Sequence, residues 1–137
     1  MTRLALTLAF GLCLPSLAMA QGKTTLQVLV ASVSTNGKDV DGALKGMAQD
    51  FKRNGLAFSS FKLVRQESLS LAPGETGNVT LPNGTAKVTL LKIEGSSARV
   101  KVASPGSTSE LGMKAGSEAY IDAGAHGQGK VFLAVKR

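Results

Sequence analysis

From Val79 to Val102 apolar and polar residues alternate in runs broken by turn signals. Val79 and Leu81 precede Asn83-Gly84, and Ala86, Val88 and Leu90 follow it. A period of two marks strands with one buried face. Asn-Gly between such runs predicts a hairpin with a type I′ turn, which needs positive φ at both central residues. Pro82 has no N–H for the ladder, so the first strand should end there or lie at an edge. Glu94-Gly95-Ser96-Ser97 gives a second turn. Beyond it Ala98, Val100 and Val102 alternate with Arg99 and Lys101. The adjacent Leu90 and Leu91, with Ile93 following, shift the apolar parity from even to odd. A β-bulge or burial of both faces would account for the shift.

Upstream, Leu26 to Val33 reads L-Q-V-L-V-A-S-V, apolar on both faces, which predicts a central strand covered on each side. Val40, Leu44, Met47, Ala48 and Phe51 fall on one face of a helix. Asp39 is its expected cap, Lys52 and Arg53 suit the negative end of its dipole, and Asn54-Gly55 suits its stop. Gly42 and Gly46 cost about 1 kcal/mol each relative to alanine. The helix should therefore hold only while docked on a sheet, with Met47 and Phe51 as core residues rather than a ligand stripe. Phe58, Phe61 and Leu63 open a run to Leu71, interrupted by Lys62 and Arg65 and closed by Pro73-Gly74. Residues 104–109 read as a surface loop around Pro105-Gly106. Leu111 with Met113 forms a short strand candidate broken by Gly116, and residues 119–121 form another. Residues 123–129 read as a glycine-rich hairpin loop, and Val131 to Val135 as the last strand. The expected fold is α+β and mostly antiparallel: a strand and a helix, then a β-meander forming a small sandwich or partial barrel.

The first twenty residues change the picture of what is folded. Arg3, the apolar run Leu4 to Leu14, Pro15-Ser16 and Ala18-Met19-Ala20 give a secretory signal peptide cleaved before Gln21. The apolar run is shorter than the roughly 20 residues a membrane helix needs. Leu12 is the wrong neighbour for a lipoprotein cysteine at Cys13. Residues 21–137 are then one β-rich domain with no cysteine, no transmembrane segment and no disulfide chemistry. The expected location is periplasmic or extracellular, and the missing disulfides favour a bacterial envelope. Removing Arg3 takes the formal charge from +7 to +6, a balance that suits acidic partners or plain solubility. The Asn78-Val79-Thr80 and Asn83-Gly84-Thr85 sequons are read as ordinary strand and turn residues.

Chemical motifs are few. Gly124 to Lys130 spells G-A-H-G-Q-G-K, the first seven places of a phosphate-binding P-loop. Val131 stands where a hydroxyl should be, and V-F-L-A-V follows where a helix is required. His126 is the only histidine; with Asp122 it falls short of a metal ligand set. Asp39 and Asp41 lack the further oxygen ligands of a calcium loop. No G-x-S-x-G elbow occurs. Aromatic residues are too few for a stacking platform, which argues against a carbohydrate face and against specific nucleic-acid binding. No cofactor and no metal are implied. What remains is charge: Lys87, Arg99 and Lys101 alternate with aliphatic residues on adjacent strands. If Val88 and Val100 face the core, the three form one outward anion-binding patch. The expected function is a non-catalytic binding or assembly module of the bacterial cell envelope. It would act through sheet edges, loops and this basic face, on another envelope protein, an anionic polymer or a lipid surface. The competing expectation is a small secreted hydrolase or carbohydrate-active enzyme using carboxylates near Glu118 or Asp122.

Overall fold

The computed structural model describes residues 23–137. The expected signal peptide, 1–20, and its cleavage site before Gln21 lie outside the described residues. Eight strands follow in chain order: β1 (Thr24–Ser34), β2 (Ser60–Leu71), β3 (Thr76–Leu81), β4 (Gly84–Glu94), β5 (Ser97–Ser104), β6 (Ser107–Lys114), β7 (Glu118–His126) and β8 (Gly129–Lys136). One helix, α1 (Lys45–Arg53), lies between β1 and β2, preceded by a 3-10 turn at Gly42–Leu44. The strands form two four-stranded sheets, ordered β2-β1-β8-β7 and β3-β4-β5-β6, with every strand pair antiparallel. The chain thus meanders in sequence order and changes sheet twice, at residues 72–75 and 115–117. The result is a sandwich and not a closed barrel.

The first sheet is buried on both faces, and the sequence of its central strands explains why. Leu26, Val28 and Val30 of β1, with Val131, Leu133 and Val135 of β8, point into the sandwich. There they meet Val79, Ala86, Val88, Leu90, Val100 and Val102 of the second sheet. Leu29, Ala31 and Val33, with Phe61, Phe132 and Ala134, point the other way and are covered by Leu44, Met47 and Phe51. Four rings crowd around Phe51, with centroids at 4.8 Å (Phe132), 5.5 Å (Phe61), 5.6 Å (Tyr120) and 6.2 Å (Phe58). Helix α1 is held down by this aromatic cluster, and Gly55, φ +77°, ends it after Asn54.

Four expectations about local structure are corrected. Asp39 does not cap the helix and Val40 is not on its face. The segment runs instead along the open edge of β2, where Asp39 O accepts from Phe61 N and Asp41 N donates to Phe61 O. The Asp41 carboxylate then accepts the Leu63 N–H at 2.6 Å. Edge pairing satisfies more backbone groups than a single cap would. The β3–β4 turn is centred on Pro82 and Asn83, not on Asn83-Gly84, because Leu81 pairs with Gly84. Proline fixes φ near −65°, which suits the first turn position and forbids the positive φ of a type I′ turn; Gly84 takes the unusual φ of +148°. Residues 104–109 are not a loop: β5 and β6 continue to a two-residue turn at Pro105-Gly106. The strand is masked in the sequence because its inward positions there are Ser107 and Ser109. The glycine-rich stretch is likewise mostly strand, β7 running to His126 before a turn at Gly127-Gln128.

Three bulges shape the sheets. Val64 is the extra residue of β2, Leu91 that of β4, and one residue between Asp122 and Ala125 that of β7. The bulge expected from the Leu90-Leu91 parity shift is therefore present. At the β7 bulge the two sheets lock together. Asn83 Nδ2 donates to Ala123 O at 2.9 Å, and Ser107 Oγ donates to Asp122 O at 2.8 Å. Gly106 lies against the Gly124 backbone so closely that any side chain at 106 would collide with it.

Candidate anion-binding face of the second sheet

The two sheets differ in what covers them. Helix α1 closes the outer face of the first. The outer face of the second carries no buried residue before the β4 bulge, as the strict alternation of buried and exposed positions along β3 and β5 records. Lys87, Arg99 and Lys101 all stand on that open face and are exposed, with Val88 and Val100 fully buried beneath. Register fixes their spacing. Lys87 pairs with Ala103 and Thr89 with Lys101, so Lys87 and Lys101 are diagonal neighbours, about 7–8 Å apart at the backbone. Arg99 and Lys101 follow each other on one face of β5.

Two features were not legible as part of the patch. Lys92 joins it, because the bulge at Leu91 restores Lys92 to the outward side, opposite Arg99. The parity shift at Leu90-Leu91 carried that signal. Glu110 intrudes on it: β6 places Glu110 directly opposite Lys101, and its carboxylate lies 3.7 Å from Arg99 Nε. Lys92 in turn lies 3.5 Å from Glu94. Lys87 and Lys101 make no ion pair among the described residues. Lys114 of β6, opposite Ser97, stands on the same face, so five cations against two carboxylates leave an excess of three positive charges on this open surface. Around them stand the polar Thr76, Asn78, Thr80 and Thr108, with the Thr76 and Thr89 hydroxyls 2.8 Å apart.

The edges are treated unequally. The open side of β2 is occupied at its start by residues 39–41, and Arg65 and Glu67, 3.9 Å apart, place charges on the inward side of that edge strand. Both devices discourage pairing with another chain. In the second sheet β3 and β6 are the edge strands. On β6, Thr108, Glu110 and Gly112 alternate with the residues bonded to β5, so their backbone groups face outward.

The carboxylates considered for catalysis are held elsewhere. Asp122 receives the Lys130 ammonium at 2.6 Å and the Gly124 N–H at 2.9 Å. Burial opposes its ionisation, but these donors outweigh burial and hold its pKa below the usual aspartate range. It pairs with Lys130, not with His126. Glu118 lies 3.6 Å from Lys136 and 3.3 Å from the Tyr120 hydroxyl. That hydroxyl donates to Asp50 Oδ2 at 2.8 Å, tying β7 to the helix. Burial first, then the bond to Asp50 and the nearby carboxylate charges, push the Tyr120 pKa well above the ordinary tyrosine value. Among the described residues no three His, Cys, Asp or Glu side chains gather as a metal site, and no helix is long and apolar enough to cross a membrane.

The fold and this surface define a two-sheet sandwich with one helix-covered face and one open, lysine-bearing face. A scan against protein-family models finds no match, and searches of the curated proteins and of the solved structures return none.

Proposed function

We propose that the protein is an exported, non-catalytic binding module of the bacterial cell envelope, and that the outer face of the second sheet is its working surface. The observation that supports this reading is the asymmetry of the sandwich. One sheet face is closed by a helix, while the other is left open with Lys87, Lys92, Arg99 and Lys101 on adjacent strands. A flat array of exposed cations spaced by strand geometry matches a polymer with repeated negative charges better than a small anion, which would need a concave site. The favoured ligand is therefore an anionic envelope polymer, such as an acidic polysaccharide, held by its charges and not by the ring stacking that a neutral sugar would need, and the exposed edges of β3 and β6 offer a second route by which a protein partner could add a strand.

The test is binding to an acidic polysaccharide at low salt and at about 0.5 M salt, where the screening length falls to about 4 Å. Binding that is strong at low salt, lost at high salt and lost in the variant carrying Lys87→Ser, Arg99→Ser and Lys101→Ser supports the proposal. A triple variant that binds as well as the parent refutes it. Anionic lipid vesicles in a parallel titration distinguish a membrane surface from the polymer.

A further inference from the structure

The sequence contains three Asn-Gly pairs, Asn36-Gly37, Asn54-Gly55 and Asn83-Gly84. We propose that Asn36 is a self-modification site, the one pair of the three that the fold leaves free to cyclise. The chemistry needs no partner. The backbone nitrogen of the glycine loses its proton and attacks the asparagine Cγ. The C–N bond to the side-chain amide breaks, and ammonia leaves with the proton. Water then opens the five-membered imide at either carbonyl, giving aspartate or isoaspartate. Glycine favours the attack because it has no Cβ to hinder the approach of its nitrogen.

The fold treats the three nucleophiles differently. Gly55 N donates to Lys52 O at 3.1 Å, and Asn54 Nδ2 is held on Asp50 O at 2.7 Å, so both reacting groups are engaged in the helix end. Gly84 closes a two-residue hairpin opposite Leu81, a position whose N–H is bonded across the turn. The Asn83 amide is pinned between the carbonyls of Ala123 and Ala125, at 2.9 and 3.3 Å. At Asn36 the side-chain amide is held but the attacking nitrogen is not. Among the described residues Gly37 N donates no hydrogen bond, the residue is exposed, and the space around Gly37 is open. One contact holds the side chain, Asn36 Nδ2 to Gln128 Oε1 at 2.6 Å.

That contact gives the modification its consequence. It ties the loop after β1 to the β7–β8 turn, and Ser59 clasps the same loop through Gly37 O at 2.7 Å. Conversion to aspartate adds a negative charge to the basic chain. Conversion to isoaspartate also lengthens the backbone by one methylene inside the clasp, which loosens the tether.

The experiment is peptide mapping by mass spectrometry after incubation of the folded protein at mildly alkaline pH in oxygen-18 water. Each converted residue retains the label. In the native protein Asn36 should convert at least about tenfold faster than Asn54 and Asn83, the upper range of protection by one retained hydrogen bond. In urea, where the hydrogen bonds are gone, the three rates should converge. Gln128→Ala should speed conversion at Asn36 alone. A smaller native ratio, another order of reaction, or an ordering that persists in urea overturns the proposal.

Discussion

Removing the Phe51 ring should detach helix α1 from the first sheet, and the structure sets the size of the effect. Phe51 is 3% exposed and sits among four other aromatic rings, three of them edge-on. Truncating a buried phenylalanine to alanine costs about 3–5 kcal/mol through lost transfer energy and the cavity left behind. The helix has little to offset this. It spans nine residues, has no side-chain cap at its start and contains Gly46, and isolated helices of fewer than about 12 residues are marginal in water. We expect Phe51→Ala to cost about 4 kcal/mol, a large part of the roughly 5–15 kcal/mol available to a small domain. With a urea dependence of about 1.5 kcal/mol per molar, the unfolding midpoint should fall by about 2–3 M. A local readout separates helix release from general loosening. Tyr120 is the only tyrosine and tryptophan is absent, so the near-ultraviolet tyrosine signal reports the ring that packs on Phe51. That signal should collapse in the variant while the far-ultraviolet strand signal remains. A midpoint shift below about 0.5 M with an unchanged tyrosine signal would refute the docking energetics argued here.

Tyr120 should ionise well above the usual pH near 10 in a phenolate absorbance titration of the folded protein. Because its folded pKa is raised, the stability it contributes is intact below pH 10 and is lost as the pH climbs beyond that value; Asp50→Asn should bring the titration only part of the way back, since burial, the larger cause, remains. Gly106→Ala places a methyl group into the Gly124 backbone and should cost about 1–3 kcal/mol in chemical denaturation, whereas Gly46→Ala, in the helix with open space around it and no positive φ, should cost nothing and gain up to about 1 kcal/mol. Glu110→Gln removes the carboxylate opposite Lys101 and should tighten binding to an acidic polysaccharide by a few-fold at low salt, since an exposed pair contributes about 1 kcal/mol or less; weaker binding would contradict the proposed face. Mass spectrometry of the natively expressed protein should find Gln21 at the N-terminus, and a retained Met1 in the envelope fraction would disprove export with cleavage.

Periodicity made most of the fold legible where apolar residues recur regularly. Leu26 to Val33, apolar on both faces, is the central strand β1, and Leu44, Met47 and Phe51 form the docked face of α1. Periodicity failed where inward positions are polar or where the backbone has uses other than the obvious one. Ser107 and Ser109 point toward the sandwich as the apolar residues of β5 do, but serine carries no hydrophobic signal, so the start of β6 was hidden. Asp39 looks like a cap from its place before a helical pattern. Its carbonyl instead serves the open edge of a strand more than twenty residues away, a long-range demand that no local pattern records.

The candidate site turns on the same distinction. Lys87, Arg99 and Lys101 could be placed on one face because a strand has a fixed period and their neighbours Val88 and Val100 are aliphatic. Whether a basic face carries a net field depends on which strand lies alongside, and that is pairing information. Strand β6 delivers Glu110 into the middle of the array, while the bulge at Leu91 delivers Lys92. One residue cancels charge and the other restores it, so the excess of three positive charges survives by register rather than by composition. A one-residue slip of β6 would turn Glu110 toward the core and bury its charge among Val100 and Val102. That cost fixes the register, and with it the place of the carboxylate in the basic array.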